Sequence, residues 1–468
     1  MFIGRHQELA AMEKRYAGTR FEFLVIYGRR RVGKTRLIRE FIRDKNAVYF
    51  MATEQSEKEQ LINLTAALRE QLPDPRTQFL PQFASFEDLF SYLAEAASRQ
   101  RLVFVIDEYP YLARAVPGIS SILQKYIDNA WGTTGLYLIL CGSSMSFMER
   151  QVLSYQSPLY GRRTAQIKLH PLPFYESMRF FPEWKDEEKL LAYGVCGGIP
   201  QYLLYLSQYA TLEEAVQEEF LSVSGHLQEE PSNLMLQELR EPAVYNSILT
   251  AIAHGATRLN EIAQAVGKES GQVNFYLSNL KDLEIIEKKK PVEETATRRT
   301  IYQIKDNLYR FWYRFIPECT SLIAMGLGKR AWKEKIAPDF PEYFGHIFED
   351  ICLQYVQYLV ATEKIPELYT QYGSWWGTDP QKHRGEEIDL VCTSDTDVLC
   401  GECKWRKEPV GYPVLATLKE RGALIQKGRQ MHYILFSKSG FTAGLQEQLD
   451  TDEAALISLK NILETGKV

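Results

Sequence analysis

The stretch FEFLVIYGRRRVGKTRLIREFI, residues 21–42, decides the fold of this chain. An apolar run of strand length, 21–27, meets a glycine loop, and the loop opens into a segment with helical apolar spacing at Leu37, Ile38, Phe41 and Ile42. Gly28, Arg29, Arg30, Arg31, Val32, Gly33, Lys34 and Thr35 satisfy every fixed position of G-x-x-x-x-G-K-[ST] between a strand and a helix. Glycines let the backbone fold into a nest of N–H groups that point at phosphate oxygens, and the helix that starts there adds its positive end. Lys34 is placed to reach the β- and γ-phosphates, and the Thr35 hydroxyl to ligate Mg²⁺. The loop with its neighbour Arg36 is the candidate nucleotide cradle. A bare strand–helix turn needs neither the lysine nor the hydroxyl.

Working outward, residues 2–9 start a helix that runs to about Tyr16, 47–50 is a short strand, and 57–72 and 86–97 have helical spacing. The run LVFVIDE, 102–108, reads as a parallel strand buried on both faces and ending in two acids. Ligands of open α/β sheets sit at such strand ends. Asp107 is read as the Mg²⁺-holding acid and Glu108 as the base that polarises the attacking water. The run LYLILCGSS, 136–144, is a further buried strand, whose Ser143 either senses the γ-phosphate or caps the next helix. Arg162, before a short strand at 165–169, is either a transition-state arginine acting in cis or from a neighbouring subunit of a homo-oligomer, or a surface residue. Strands alternating with helices make a parallel, helix-covered sheet.

At 468 residues, about three domains are expected. Apolar content of 45% and charged content of 25% are globular values. A net charge of −5 excludes a chain-wide polycation, so nucleic acid must be met by a local patch. Seven scattered cysteines form no disulfide framework, and the Cys400–Cys403 spacing lacks the second pair of a zinc site. There is no signal-peptide pattern and no apolar run of bilayer length. The chain therefore reads as cytoplasmic, with no membrane partner.

FIGR at 2–5, the triple-arginine loop, Asp107-Glu108, Gly142-Ser143-Ser144 and the GGIP turn ending at Pro200 occur in this order. The set resembles the archaeal-type ATPase family of the AAA+/STAND group of P-loop NTPases over roughly the first 240 residues. The resemblance implies ATP as ligand, Arg5 at the adenine pocket and Pro200 in a helical lid over the nucleotide. No second sensor arginine is evident in that lid.

Residues 173–240 are helical in pattern, with stripes at Tyr202, Leu203, Leu206 and Tyr209 that suit a core. Residues 241–316 read as a winged helix whose third helix, 270–283, exposes Gln272, Asn274, Tyr276, Asn279 and Lys281. Its hairpin carries Lys288, Lys289, Lys290, Arg298 and Arg299. Such a module either contacts DNA or clamps the nucleotide domain. An aromatic-rich helix is expected over 302–315, and another helix, containing Glu349, over 342–359.

The last informative stretch is GEEIDLVCT, 385–393, followed by a turn and VLCGECKW, 398–405. If Thr393 faces Val398, Asp389 falls opposite Glu402 and Glu387 opposite Lys404, all on one face, with Ile388, Leu390, Leu399 and Cys403 on the other. Opposed carboxylates destabilise a sheet, and a hard divalent cation, Mg²⁺ or Mn²⁺, removes the conflict. Asp389 with Glu402-x-Lys404 resembles the PD-(D/E)xK nuclease superfamily, covering about 330–460, and Glu349 matches the helix acid that completes its metal site.

The expected architecture is α/β throughout: a P-loop core over 1–172, a helical lid over 173–240, a winged helix over 241–316, and a restriction-endonuclease-like domain over 317–468. The function expected is ATP binding and hydrolysis coupled to DNA binding and metal-dependent DNA cleavage, with Asp389, Glu402 and Lys404 as cutting residues. The alternative is a STAND-type regulatory switch that binds DNA or protein and does not cut.

Overall fold

Apolar, β-branched runs without charges cannot face water on either side, so they stack as the centre of a parallel sheet. In the computed structural model, which describes residues 2–72, 77, 79–294, 299–449 and 454–465, this happens in the first of two five-stranded sheets, whereas the second is mixed. The chain divides into two compact units, Met1–Leu172 with Ile199–Gln201, and Pro173–Gly198 with Tyr202–Val468.

In the first unit, β1 (Glu22–Tyr27), β2 (Ala47–Met51), β3 (Leu102–Asp107), β4 (Leu136–Gly142) and β5 (Ala165–Lys168) form one sheet in the order β2-β3-β4-β1-β5. Every pair in it is parallel. β3 and β4 are buried along their whole length. β1 therefore ends between β4 and β5, and the loop after it emerges beside the ends of those two strands. Gly28 has φ of 152°, and a side chain there would run into the Leu169 carbonyl, so the close turn over β5 requires glycine. The helix Lys34–Ile42 starts directly behind Gly33 and buries Leu37, Ile38 and Phe41.

In the second unit, helices Pro242–Ala253, Leu259–Val266 and Ser270–Asp282 precede an antiparallel ribbon of β6 (Ile286–Lys289) and β7 (Ile301–Ile304). Tyr276, expected at the surface, is buried with its hydroxyl on Glu241, and Asn279 donates to the Tyr245 hydroxyl 2.7 Å away. The outward aromatic is Phe275 instead. The phase of this helix is set by Val273, Tyr276, Leu277 and Leu280, which all pack into one core. The helix expected over 302–315 is split: β7 takes its start, and the helix proper is Asn307–Ala324, capped by Asp306 and carrying Pro317 within it. The boundary expected between 316 and 317 thus lies inside a continuous helix.

The helix Phe340–Ala361 then leads into β8 (Gln371–Asp379), β9 (Arg384–Thr393) and β10 (Asp397–Lys404). The helix Tyr412–Ala423 crosses over to β11 (Gln430–Ser437), and β12 (Ala455–Ser458) completes the sheet in the order β12-β11-β10-β9-β8. β8, β9 and β10 are antiparallel neighbours, whereas β10, β11 and β12 are parallel.

Candidate nucleotide site and C-terminal acid cluster

The loop 28–35 brings its lysine over its own backbone. Lys34 Nζ donates to the carbonyls of Gly28 and Arg29, both at 2.8 Å. Burial pulls the Lys34 ammonium below its ordinary value, while Cys141, Glu108 and Asp107 pull the other way. Thr35 Oγ1 donates to Asp107 Oδ2 at 2.8 Å, which joins the loop to the end of β3 although 72 residues separate them. Asp107 Oδ1 accepts the Glu108 N–H at 2.9 Å. Glu108 has a left-handed backbone, φ 52°, and its carboxylate accepts from the Ser143 hydroxyl at 2.9 Å and the Ser143 N–H at 3.2 Å. Ser143 is therefore a partner of Glu108, at the end of β4 beside β3.

Other expected cradle residues are distributed unevenly. A side chain built on Gly33 would meet Pro200 Cγ at 3.6 Å, so Pro200, within the first unit, comes back to the loop. Arg5, left-handed at φ 64°, is buried and donates to Val32 O at 3.0 Å and His170 O at 2.5 Å. It braces the loop from behind. Arg29 and Arg30 are half-buried, and Arg31 and Arg36 exposed. Arg162 forms a forked pair with Asp128, 2.8 Å from Nε and from Nη2, and donates to Pro158 O.

Sequence reasoning missed Tyr49. Its hydroxyl donates to Asp107 Oδ2 at 2.5 Å. Nothing near it in sequence marks it; only the pairing of β2 with β3 brings it to the acid.

In the second unit the hairpin register holds from Val398↔Thr393 to Gly401↔Leu390 and then breaks. Against β8, Gly373 faces Val391 but Trp375 faces Ile388, so β9 carries one extra residue there. That bulge overturns the expected shared face. Ile388 now packs with Val391, Val398 and Cys400 against Leu415 and Leu418. Glu387 is exposed opposite Trp376, and Glu386 is buried in its place. Asp389 and Glu402 are not a ladder pair; the Asp389 carboxylate accepts the Cys403 N–H at 2.9 Å.

Asp389, Glu402 and Lys404 nonetheless converge. Lys404 Nζ lies 2.6 Å from Glu402 and 3.4 Å from Asp389. Arg421 pairs with Glu386 at 2.8 Å and sits 3.5 Å from Glu402 Oε2, which accepts no hydrogen bond. Burial raises the Glu402 carboxyl, with Asp389's charge adding to it and Lys404 opposing. Burial would lower the Lys404 ammonium, but Asp389 and Glu402 outweigh it and raise it. Glu349, on the helix before this sheet, pairs with His346 at 3.5 Å. Among the described residues no three His, Cys, Asp or Glu side chains gather as a metal-holding group. Burial raises the Glu349 carboxyl, and the nearby Asp389 charge adds to that while His346 opposes it. The repulsion between the two strand acids is offset by the ammonium of Lys404 and the guanidinium of Arg421.

The ribbon expected to grip DNA is docked through Val292 and Glu293. Val292 belongs to the core of the C-terminal sheet and its N–H donates to Ser374 O at 3.0 Å. Glu293 accepts from Lys427 at 3.0 Å and from Arg429 Nη2 at 3.1 Å. Lys289 is tied to Asp350, which also binds Arg310 at 3.2 Å. Arg299 lies 3.7 Å from Glu294, and Arg298 lies outside the described residues. Lys288 and Lys290 are exposed.

Residues 2–206 match the model of an ATPase domain predominantly from Archaea, and residues 312–420 a model of archaeal and bacterial proteins of unknown function. An uncharacterized protein of Methanocaldococcus jannaschii, MJECL04, is 34% identical over 409 residues, 87% of this chain and 88% of that protein. An uncharacterized ATP-binding protein of the same organism, MJ0423, is 42% identical over 45 residues, 10% of this chain and 76% of that protein. Among solved structures, the Walker-type ATPase PABY2304 of Pyrococcus abyssi superposes with a TM-score of 0.51 at 21% identity, over 67% of this chain and 96% of that one. That likeness shows the shared fold. No helix among the described residues is long and apolar enough to cross a membrane.

Proposed function

The chain belongs to one family with its Methanocaldococcus relative and carries an archaeal-type ATPase domain over residues 2–206, and from that premise we propose that it binds and hydrolyses ATP and couples this switch to DNA binding by its second unit. The carrying observation is the Thr35–Asp107 contact at 2.8 Å, which holds the loop hydroxyl and a strand-end carboxylate together as hard oxygen donors. These two residues fit Mg²⁺, which supplies charge neutralisation on the β- and γ-phosphates when bound. Lys34 gives a positive charge to the same phosphates once it leaves the Gly28 and Arg29 carbonyls. Glu108 orients and deprotonates the attacking water, and Ser143 holds Glu108 until it is needed. Comparing ATP hydrolysis and nucleotide affinity of wild type, Lys34→Ala and Glu108→Gln tests this; three indistinguishable proteins would overturn it.

The helix, three antiparallel strands, crossover helix and parallel strand around Asp389, Glu402 and Lys404 support a nuclease-like module. Cleavage there requires Lys404 to release the two carboxylates it now bridges. That bridge favours the second reading, a STAND-type switch that binds DNA or protein without cutting. Incubating the protein with DNA and Mn²⁺ or Mg²⁺, with and without ATP, separates the two: cut products establish the nuclease, and binding alone establishes the switch.

A further inference from the structure

Asp107 Oδ2 accepts two hydroxyl donors, Thr35 at 2.8 Å and Tyr49 at 2.5 Å. Thr35 belongs to the loop motif; Tyr49 belongs to no motif. It sits on β2, the strand at the open edge of the sheet. Each part of this tyrosine is held separately. Its backbone N–H donates to Gln71 Oε1 at 2.7 Å and its carbonyl accepts from Gln71 Nε2 at 3.0 Å, so one side-chain amide stands in for a missing neighbour strand. The Arg39 guanidinium lies over its ring, 5.4 Å from the centroid. What remains is the hydroxyl, and it is fixed on the one acid that the loop hydroxyl also touches.

A carboxylate on a strand end rotates about its terminal bond, a broad torsion without sharp wells. Asp107 is clamped against that rotation on both oxygens, by the Glu108 N–H on Oδ1 and by Thr35 and Tyr49 on Oδ2. When Thr35 turns its oxygen toward an ion, Tyr49 is left as the hydroxyl that keeps Oδ2 in place. We propose that Tyr49 is a positioning residue for the Mg²⁺-nucleotide site: it fixes the Asp107 carboxylate, and Gln71 fixes Tyr49. This rests on the reading of the loop as an ATP site.

The alternative is that the hydroxyl merely satisfies a buried acid, which would be felt in folding and not in the metal response. The test titrates a fluorescent ADP analogue into the full chain, in EDTA and over a Mg²⁺ series. Tyr49→Phe keeps the ring, the Arg39 contact and the Gln71 bonds. It is expected to raise the Mg²⁺ concentration that gives half of the tightening roughly ten- to a hundredfold, the range of a missing hydrogen bond to a charged group, and to leave binding in EDTA unchanged. Gln71→Ala moves the same quantity the same way by less. Melting curves without nucleotide or metal control for folding. A Tyr49→Phe protein that melts earlier but keeps the wild-type Mg²⁺ response, while Asp107→Asn loses that response, overturns the proposal and leaves the ATP site standing. A wild-type chain that binds no nucleotide, or binds it identically with and without Mg²⁺, overturns both.

Discussion

The ammonium of Lys34 is buried and that of Lys404 partly buried, and the two do different things. Lys34 is drawn down by burial and bonded only to neutral carbonyls, so a phosphate offers it a better partner. Its removal as Lys34→Ala is expected to weaken nucleotide binding strongly, read by titration of ADP. Glu108→Gln should keep that affinity and slow hydrolysis by about 10²–10⁴-fold, the usual contribution of a general base. Lys404 instead already has two carboxylates, one of them on a buried residue. Lys404→Met keeps the bulk and leaves Glu402 facing Asp389 without the ammonium. Breaking a buried pair from one side costs about 3–5 kcal/mol, and with Lys404 a quarter exposed the loss should fall at or below the low end, as a lower melting temperature. Adding Mn²⁺ decides what the acids are for. Recovery of the melting temperature in Mn²⁺ shows that the two carboxylates hold an ion once the lysine is gone; no recovery shows that the lysine bridge is their purpose.

At the scale of elements, the ribbon of β6 and β7 departs furthest from what its composition suggests. A basic hairpin reads as a hand for phosphates, yet Val292 is inserted in the neighbouring core and Lys289 in a partly buried ion cluster. DNA binding, if it uses this ribbon, rests on Lys288 and Lys290. Changing both to Ala should flatten the logarithmic dependence of affinity on salt by roughly 0.9 for each phosphate no longer neutralised, whereas Lys289→Ala should lower stability and leave that slope alone. The Glu293 clasp is acid-sensitive. Burial alone would raise its carboxyl, but Arg429 and Lys427 outweigh burial and hold it below the usual range. A depressed folded-state value means that this stabilisation is complete above the unfolded value, about 4.3, and is lost as pH falls through the folded one. The melting-temperature gap between wild type and Glu293→Gln should therefore be wide at neutral pH and close on acidification below about pH 4. A gap that stays constant with pH would show that the charge of Glu293 adds nothing to stability.

For the molecule as a whole, the first unit carries a site joined across the sheet and the second a module whose strand-end acids are neutralised internally. Coupling between them is tested by asking whether DNA affinity differs between ADP and a non-hydrolysable ATP analogue, and whether Lys34→Ala abolishes the difference. The nucleotide site was legible in the sequence because its geometry is local: a strand, a nest of N–H groups and a helix start are all set within residues 21–42. Asp107-Glu108 was legible because a buried run that ends in acids can end only at a sheet's rim. The hairpin turn was likewise local, and its register held to Gly401↔Leu390. What lay beyond reach was decided by contacts between segments distant in sequence. The extra residue in β9 follows from pairing with β8, and it exchanges Glu387 for Glu386. Arg162 meets Asp128, Val292 finds the C-terminal core, and Tyr49 reaches Asp107 only because β2 lies beside β3. Periodicity states which side of an element is apolar. It does not state which distant charge will answer a buried one; packing makes that choice, and here it sets Lys404 and Arg421 beside Asp389, Glu402 and Glu386.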